Sequence, residues 1–230
     1  MSNLEMTADF FHIDIKHRIV LSGNFTQPQV QPILQPFGAT GARFFTNAIN
    51  TRTNGYDLVV NHQRPLLSGR IELSAAYSNN RTQIVNIADT PPQLTGLGAV
   101  LFDRGEQRRT QCGQPRDNAR LMENYNQGAV SITARESRYG EFCSASVNPL
   151  DDQIYAAKWL SDLEISYNWS TYTFAVGAEN LFDTFPDRNL RAGIPSGSAQ
   201  VGSAGVFLYP INSPFGMNGR FVYTRVSYRF

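Results

Sequence analysis

Along most of this chain apolar and polar residues alternate one by one. A period of two marks a strand, because successive side chains of a strand point to opposite faces. The stretch from 158 to 169 shows it most plainly: Trp159, Ser161, Leu163, Ile165, Tyr167 and Trp169 share one face, and Lys158, Leu160, Asp162, Glu164, Ser166 and Asn168 the other. Ile71, Leu73, Ala75 and Tyr77 oppose Arg70, Glu72, Ser74, Ala76 and Ser78 in the same way. Tyr172, Phe174, Val176 and Ala178 oppose Thr173, Ala175, Gly177 and Glu179. The closing stretch "GRFVYTRVSYRF" sets Val222, Thr224, Val226, Tyr228 and Phe230 against Phe221, Tyr223, Arg225, Ser227 and Arg229. Bounded by Gly, Pro, Asn, Asp and Ser, the alternation predicts strands near residues 5–20, 43–62, 69–84, 117–126, 129–141, 155–168, 171–182 and 219–230, and no helix.

The connections alternate too. Short turns around "QRPLLSG", "NQG" and "NWST" take turns with long segments rich in Gly, Pro, Ser and Asn, the longest near 85–116 and 183–218. Short turns therefore collect at one end of the sheet and long loops at the other, which is the arrangement of outer-membrane barrels. Alternation by itself also fits a soluble sandwich. The sandwich explains neither the segregated loops nor the aromatics near strand ends, Trp159, Tyr167, Trp169, Tyr228 and Phe230, which suit interfacial girdles. The predicted fold is all-β: an antiparallel meander of about eight strands, part of a transmembrane β-barrel with short periplasmic turns and long extracellular loops.

Composition agrees. The chain has 10 Tyr, 15 Phe and 18 Gly, which favours strands joined by tight turns. Charged residues make up 17%, below the roughly 25% of soluble domains, and the formal net charge of +1 gives no field that would draw in nucleic acid. No apolar run approaches the ~18 residues of a membrane-spanning helix. The segment "MSNLEMTADFFHIDIKHRIV" has no signal-peptide pattern, so the sequence predicts either an intracellular protein or the later part of a longer one.

Several segments resemble one family. "VGAENLFDTFPDRN", residues 176–189, is similar to the penultimate-strand signature of TonB-dependent outer-membrane receptors, and "SPFGMNGRFVYTRVSYRF" resembles their last strand. "TADFFHIDIKHRIVLSGNF" and "RFFTNAINTRTNGYDLVV" also resemble recurring segments of these barrels. The resemblance implies a transporter of about 22 strands around a plugged lumen in the outer membrane of a Gram-negative bacterium. It would take up a scarce ligand such as an iron-siderophore, a vitamin or a saccharide. Its partners would be outer-membrane lipid, a plug domain, TonB and a small-molecule ligand of unknown identity. Plug and energy-coupling box have no counterpart in these residues, so the implied organisation is a single unit, 1–230, forming the C-terminal segment of such a barrel. The alternative is a self-contained eight-stranded barrel serving as anchor or adhesin.

The residues offer no catalytic constellation, so no enzyme and no cofactor are expected. His12 and His17 differ in parity on one strand and face opposite sides, which removes the simplest metal site. Asp162 with Glu164, and Arg70 with Glu72, share polar faces and read as a salt-bridged or solvated wall, or as lumen charge that contacts a plug or ligand. "RGEQRR", residues 104–109, is either solvated loop or an attractor for an anion. Cys112 and Cys143 fall in or beside long loops at the same end of the sheet. Outside the cytoplasm they are candidates for a disulfide, or else two unrelated thiols.

Overall fold

A computed structural model describes residues 3–92, 95, 100–146, 148–190 and 207–230. All eight expected strands form. They are β1 (Leu4–Leu21), β2 (Phe45–Leu66), β3 (Gly69–Ile87), β4 (Asp117–Gln127), β5 (Val130–Tyr139), β8 (Lys158–Trp169), β9 (Tyr172–Glu179) and β10 (Phe221–Tyr228). Each pairs antiparallel with the next in one sheet of order β1-β2-β3-β4-β5-β8-β9-β10. The missing numbers belong to a hairpin in a long loop, β6 (Phe142–Ser144) with β7 (Gln153–Tyr155). The sheet is open, with β1 and β10 at its two edges.

Three two-residue turns close one end. Their first residues, Leu67, Gly128 and Ser170, have φ of 53°, 56° and 54°. Positive φ at this position gives the turn the twist that matches the flanking strands. Only Gly128 adopts it without cost.

The register makes the two faces continuous across strands. One row runs Ile71, Tyr125, Ile132, Ile165, Val176, Thr224, each opposite the next. On the same face β1 presents Leu4, Met6, Ala8 and Phe10, and β2 presents Val60, Leu58 and Tyr56. Aromatic side chains border this apolar face at both ends. Phe10, Tyr56 and Tyr77 form a chain with centroid spacings of 6.1 and 5.9 Å toward the long loops. Tyr172 packs on Tyr228 at 5.0 Å and Tyr228 on Phe230 at 5.2 Å beside the short turns.

The other face is polar and knitted across strands. Thr53 hydrogen-bonds Thr82 at 2.8 Å, Ser74 donates to Asn61 at 2.8 Å, and Thr133 donates to Asn124 at 2.8 Å. Aromatic rings on this face lie over cross-strand glycines. A Cβ on Gly177 would stand 2.6 Å from the Tyr223 ring, and one on Gly55 would collide with Phe11. Both pairs are directly opposite in register.

The described hydrophobic core lies at the long-loop end, where loop residues pack on the start of β2. Phe25, Val30, Leu34, Ala48, Ile49, Leu101 and Phe102 form one buried cluster. A short helix, α1 (Gln31–Leu34), supplies Leu34 to it. The expectation of no helix fails at α2 (Arg104–Cys112). Asp103 accepts the amide of Glu106 at 3.0 Å, the N-cap that starts this helix.

Candidate functional site

Side-chain hydrogen bonds tie the long-loop end of the sheet together. The first tie lies in the segment that follows β9. Asn180 has φ of 50° and is 5% exposed. Its side chain donates to the Thr184 carbonyl at 2.8 Å and accepts the Thr184 amide at 2.8 Å, closing a tight turn. Asp183 then accepts the Arg220 amide at 2.8 Å, which ties the start of the β9–β10 loop to its end.

A second tie fixes the loop's far part. Asn212 donates to the carbonyls of Gly113 at 2.9 Å and Cys143 at 3.1 Å and accepts from the Ser144 hydroxyl at 3.2 Å. Three separate loops thus meet at one amide. Cys112 ends α2 and Cys143 lies in β6; their Cα atoms are 5.3 Å apart and the two are joined as a disulfide.

The "RGEQRR" segment is neither solvated loop nor a free basic cluster. Arg104 grips Asp152 with both terminal nitrogens, at 2.9 and 2.5 Å, and Arg108 lies 3.8 Å from the same carboxylate. Arg109 donates to Glu106 at 3.0 Å, and Arg43 pairs with Glu106 from the β1–β2 loop. The Arg104 guanidinium holds the Asp152 carboxyl below its usual range, against the opposing effect of partial burial, with help from the Ser146 amide. Farther along, Asp187 accepts from Lys158 at 2.6 Å and from the Ala156 amide at 2.7 Å.

Below these loops the polar face forms a wall of ion pairs. Arg135 meets Asp162 at 3.2 Å; Arg225 and the Tyr223 hydroxyl donate to Glu164 at 2.7 and 2.9 Å. Between wall and loops lies a cavity of about 770 Å³ bordered by Arg120, Arg135, Tyr139, Asp162, Glu179 and Arg220. Phe215 from the β9–β10 loop packs on Tyr139 at 5.4 Å and forms part of its rim. A neighbouring hollow of about 480 Å³ shares Arg120, Ser137 and Tyr139. Such a cavity, with arginines beside carboxylates and the rings of Tyr139, Phe215 and Phe221, suits recognition by charge and stacking. Among the described residues no group of His, Cys, Asp and Glu gathers as for a metal ion. His12 instead pairs with Asn54 at 2.5 Å, and His17 sits at a bulge with φ of 52°.

Sequence reasoning missed α2, Asn212 and Asp152. A signal for the helix was present: Asp103 and Glu106 have the three-residue spacing of a capping box. Asn212 and Asp152 have no local signal, since their partners are distant in sequence.

Comparison with known proteins adds to this geometry. No curated protein matches the chain. Among solved structures the copper transporter OprC aligns with a TM-score of 0.59 at 15% identity, over 100% of this chain and 29% of its own. The ferric-catecholate import receptor Fiu from E. coli K12 gives 0.55 at 16%, over 97% and 25%. P. aeruginosa FpvA bound to pyoverdines gives 0.54 at 15%, over 98% and 25%. At these identities the likeness is one of fold, and this chain spans about a quarter of each of those proteins. The model of the "TonB dependent receptor-like, beta-barrel" family matches residues 2–181. The chain therefore belongs to the TonB-dependent receptor β-barrel family.

Proposed function

We propose that residues 1–230 act as one unit, the C-terminal eight strands of an outer-membrane receptor barrel that takes up a scarce ligand through a plugged lumen. The apolar face meets outer-membrane lipid, the polar face lines the lumen, and the loop end faces the cell exterior. The carrying observation is the open sheet with one largely apolar face, interrupted by Glu123 and Glu136, and all its long loops at one end. Two unpaired edges suit a sheet completed by further strands of the same barrel. Activity in this reading is recognition and transport, with no bond made or broken.

The ligand class is a compact chelate such as an iron-siderophore, held where loops and wall meet around Arg120, Tyr139 and Phe215. The neighbours' own cargoes, pyoverdine, ferric catecholate and copper, support metal complexes ahead of vitamins or saccharides. A plug domain and TonB are the proposed partners in transport, and the Cys112–Cys143 bridge forms after export. Radiolabelled ferric chelates offered to cells with and without the gene test the proposal. Loss of uptake for one chelate class is expected; unchanged uptake of every chelate under iron limitation would refute it.

A further inference from the structure

The apolar face ends abruptly toward the long loops on β1, β2 and β3. Its last outward row contains Phe10 and Tyr56, with Tyr77 beside them. The next outward row is His12, Asn54 and Arg81, and the one after is Asp14, Arg52 and Gln83. Lys16 follows two residues on along β1, exposed and without a register partner at the bulge between Ile15 and Arg18.

These charges do not cancel. Asp14 accepts from Arg52 at 2.9 Å and meets His12 at 3.2 Å, so its carboxylate is occupied. Arg81 and Lys16 are exposed and have no ion-pair partner among the described residues. The nearest other outward acid, Asp117, is held by Arg138. Lys16, Arg52 and Arg81 thus stand against Asp14 alone. The excess is local: at the loop end of β8, β9 and β10 the outward residues are Trp159, Ala178 and Val222.

Depth gives the excess a meaning. The six residue steps from Leu4 to Phe10, at ~3.4 Å each and tilted ~40°, rise about 16 Å, and the following levels that hold Arg81, Arg52 and Lys16 stand about 21, 26 and 31 Å above Leu4, around the upper edge of the ~25 Å apolar band of a membrane barrel. The cations therefore fall at the level of the outer headgroups. On the membrane-spanning reading above, we propose that Lys16, Arg52 and Arg81 form a docking site for the phosphate of an outer-leaflet lipid whose acyl chains lie on Phe10, Tyr56 and Tyr77. Guanidinium groups match phosphate with paired N–H donors, and lysine adds a point charge. The surface is a convex strand face, so the anion is retained by its acyl chains and a free phosphate has no comparable hold.

The test uses the protein in zwitterionic detergent, titrated with bisphosphorylated lipid A, dephosphorylated lipid A and inorganic phosphate. Bisphosphorylated lipid A is expected to bind best, with an affinity loss of about fivefold for Lys16→Gln or Arg81→Gln and about 25-fold for both together. Equal binding by the double variant, equal binding of the dephosphorylated lipid, or equal binding of inorganic phosphate would each overturn the site. Quenching of Trp159 and Trp169 by brominated lipid, measured on the same double variant, separates the two levels. Quenching with unchanged lipid A affinity removes only the site; absent quenching removes the spanning reading and the site with it.

Discussion

The side-chain amide of Asn212 donates to the backbone carbonyl of Cys143 at 3.1 Å and, through its other hydrogen, to that of Gly113 at 2.9 Å. One residue of the β9–β10 loop thereby clasps both flanks of the Cys112–Cys143 pair. Replacing it with alanine strands two carbonyls, at a cost on the order of 1–3 kcal/mol. Asn212→Ala is expected to speed proteolysis within 207–220 while leaving strand amides protected in hydrogen exchange. Unchanged cleavage would show that the clasp does not hold the loop.

The disulfide closes a segment of 31 residues between loops. Chain-entropy arguments put the stabilisation from such a closure at about 3–4 kcal/mol. Thiol titration of the denatured, non-reduced protein from the outer membrane is expected to find no free thiol. Two free thiols would contradict the bridge, and Cys112→Ser with Cys143→Ser should otherwise lower the resistance of the loops to heat.

Asp152 gives the loops an acid sensitivity. Its folded pKa is lowered, by Arg104 above all, so its contribution to stability is fully present above the unfolded value of about 3.9 and is lost as pH falls through the folded value. Cleavage near 146–152 by an acid-tolerant protease is expected to rise below about pH 4 in the native protein. Asp152→Asn should cleave faster at neutral pH and lose most of that rise. A variant that keeps the native profile would place the acid step elsewhere.

Leu67 is 90% exposed and has φ of 53°, a left-handed conformation that disfavours a leucine. Asparagine tolerates this region better, and Leu67→Asn is expected to stabilise the β2–β3 hairpin by up to about 1 kcal/mol. Slower unfolding from detergent in urea would show it. Faster unfolding would mean that the exposed leucine has an apolar contact in the assembled barrel.

The strands were legible in the sequence and the loop end was not, for one physical reason. Each strand separates two environments along its whole length, so Trp159 to Trp169 declare their faces through nearest neighbours in sequence. Loop structure depends on partners far apart: Arg104 finds Asp152 across 48 residues, and Asn212 finds Cys143 across 69. Local pattern contains neither. Asp103 and Glu106 announced α2, yet "RGEQRR" lacks the apolar period that would have marked a helix face. Residue parity and loop placement did put the two cysteines at one end of the sheet, and it correctly grouped Asp162 with Glu164 on the polar wall, where Arg135 and Arg225 meet them.

The central claim is that the apolar face contacts lipid. The chain has two tryptophans, Trp159 and Trp169, both on that face and at opposite ends of β8. Single-tryptophan variants, Trp159→Phe and Trp169→Phe, reconstituted in bilayers with bromine at graded acyl depths, report each end separately. The expected result is strong quenching of both by shallow bromines and weaker quenching by bromines at the bilayer centre, as for two residues at opposite interfaces. Fluorescence unaffected by bromine at any depth would contradict the account.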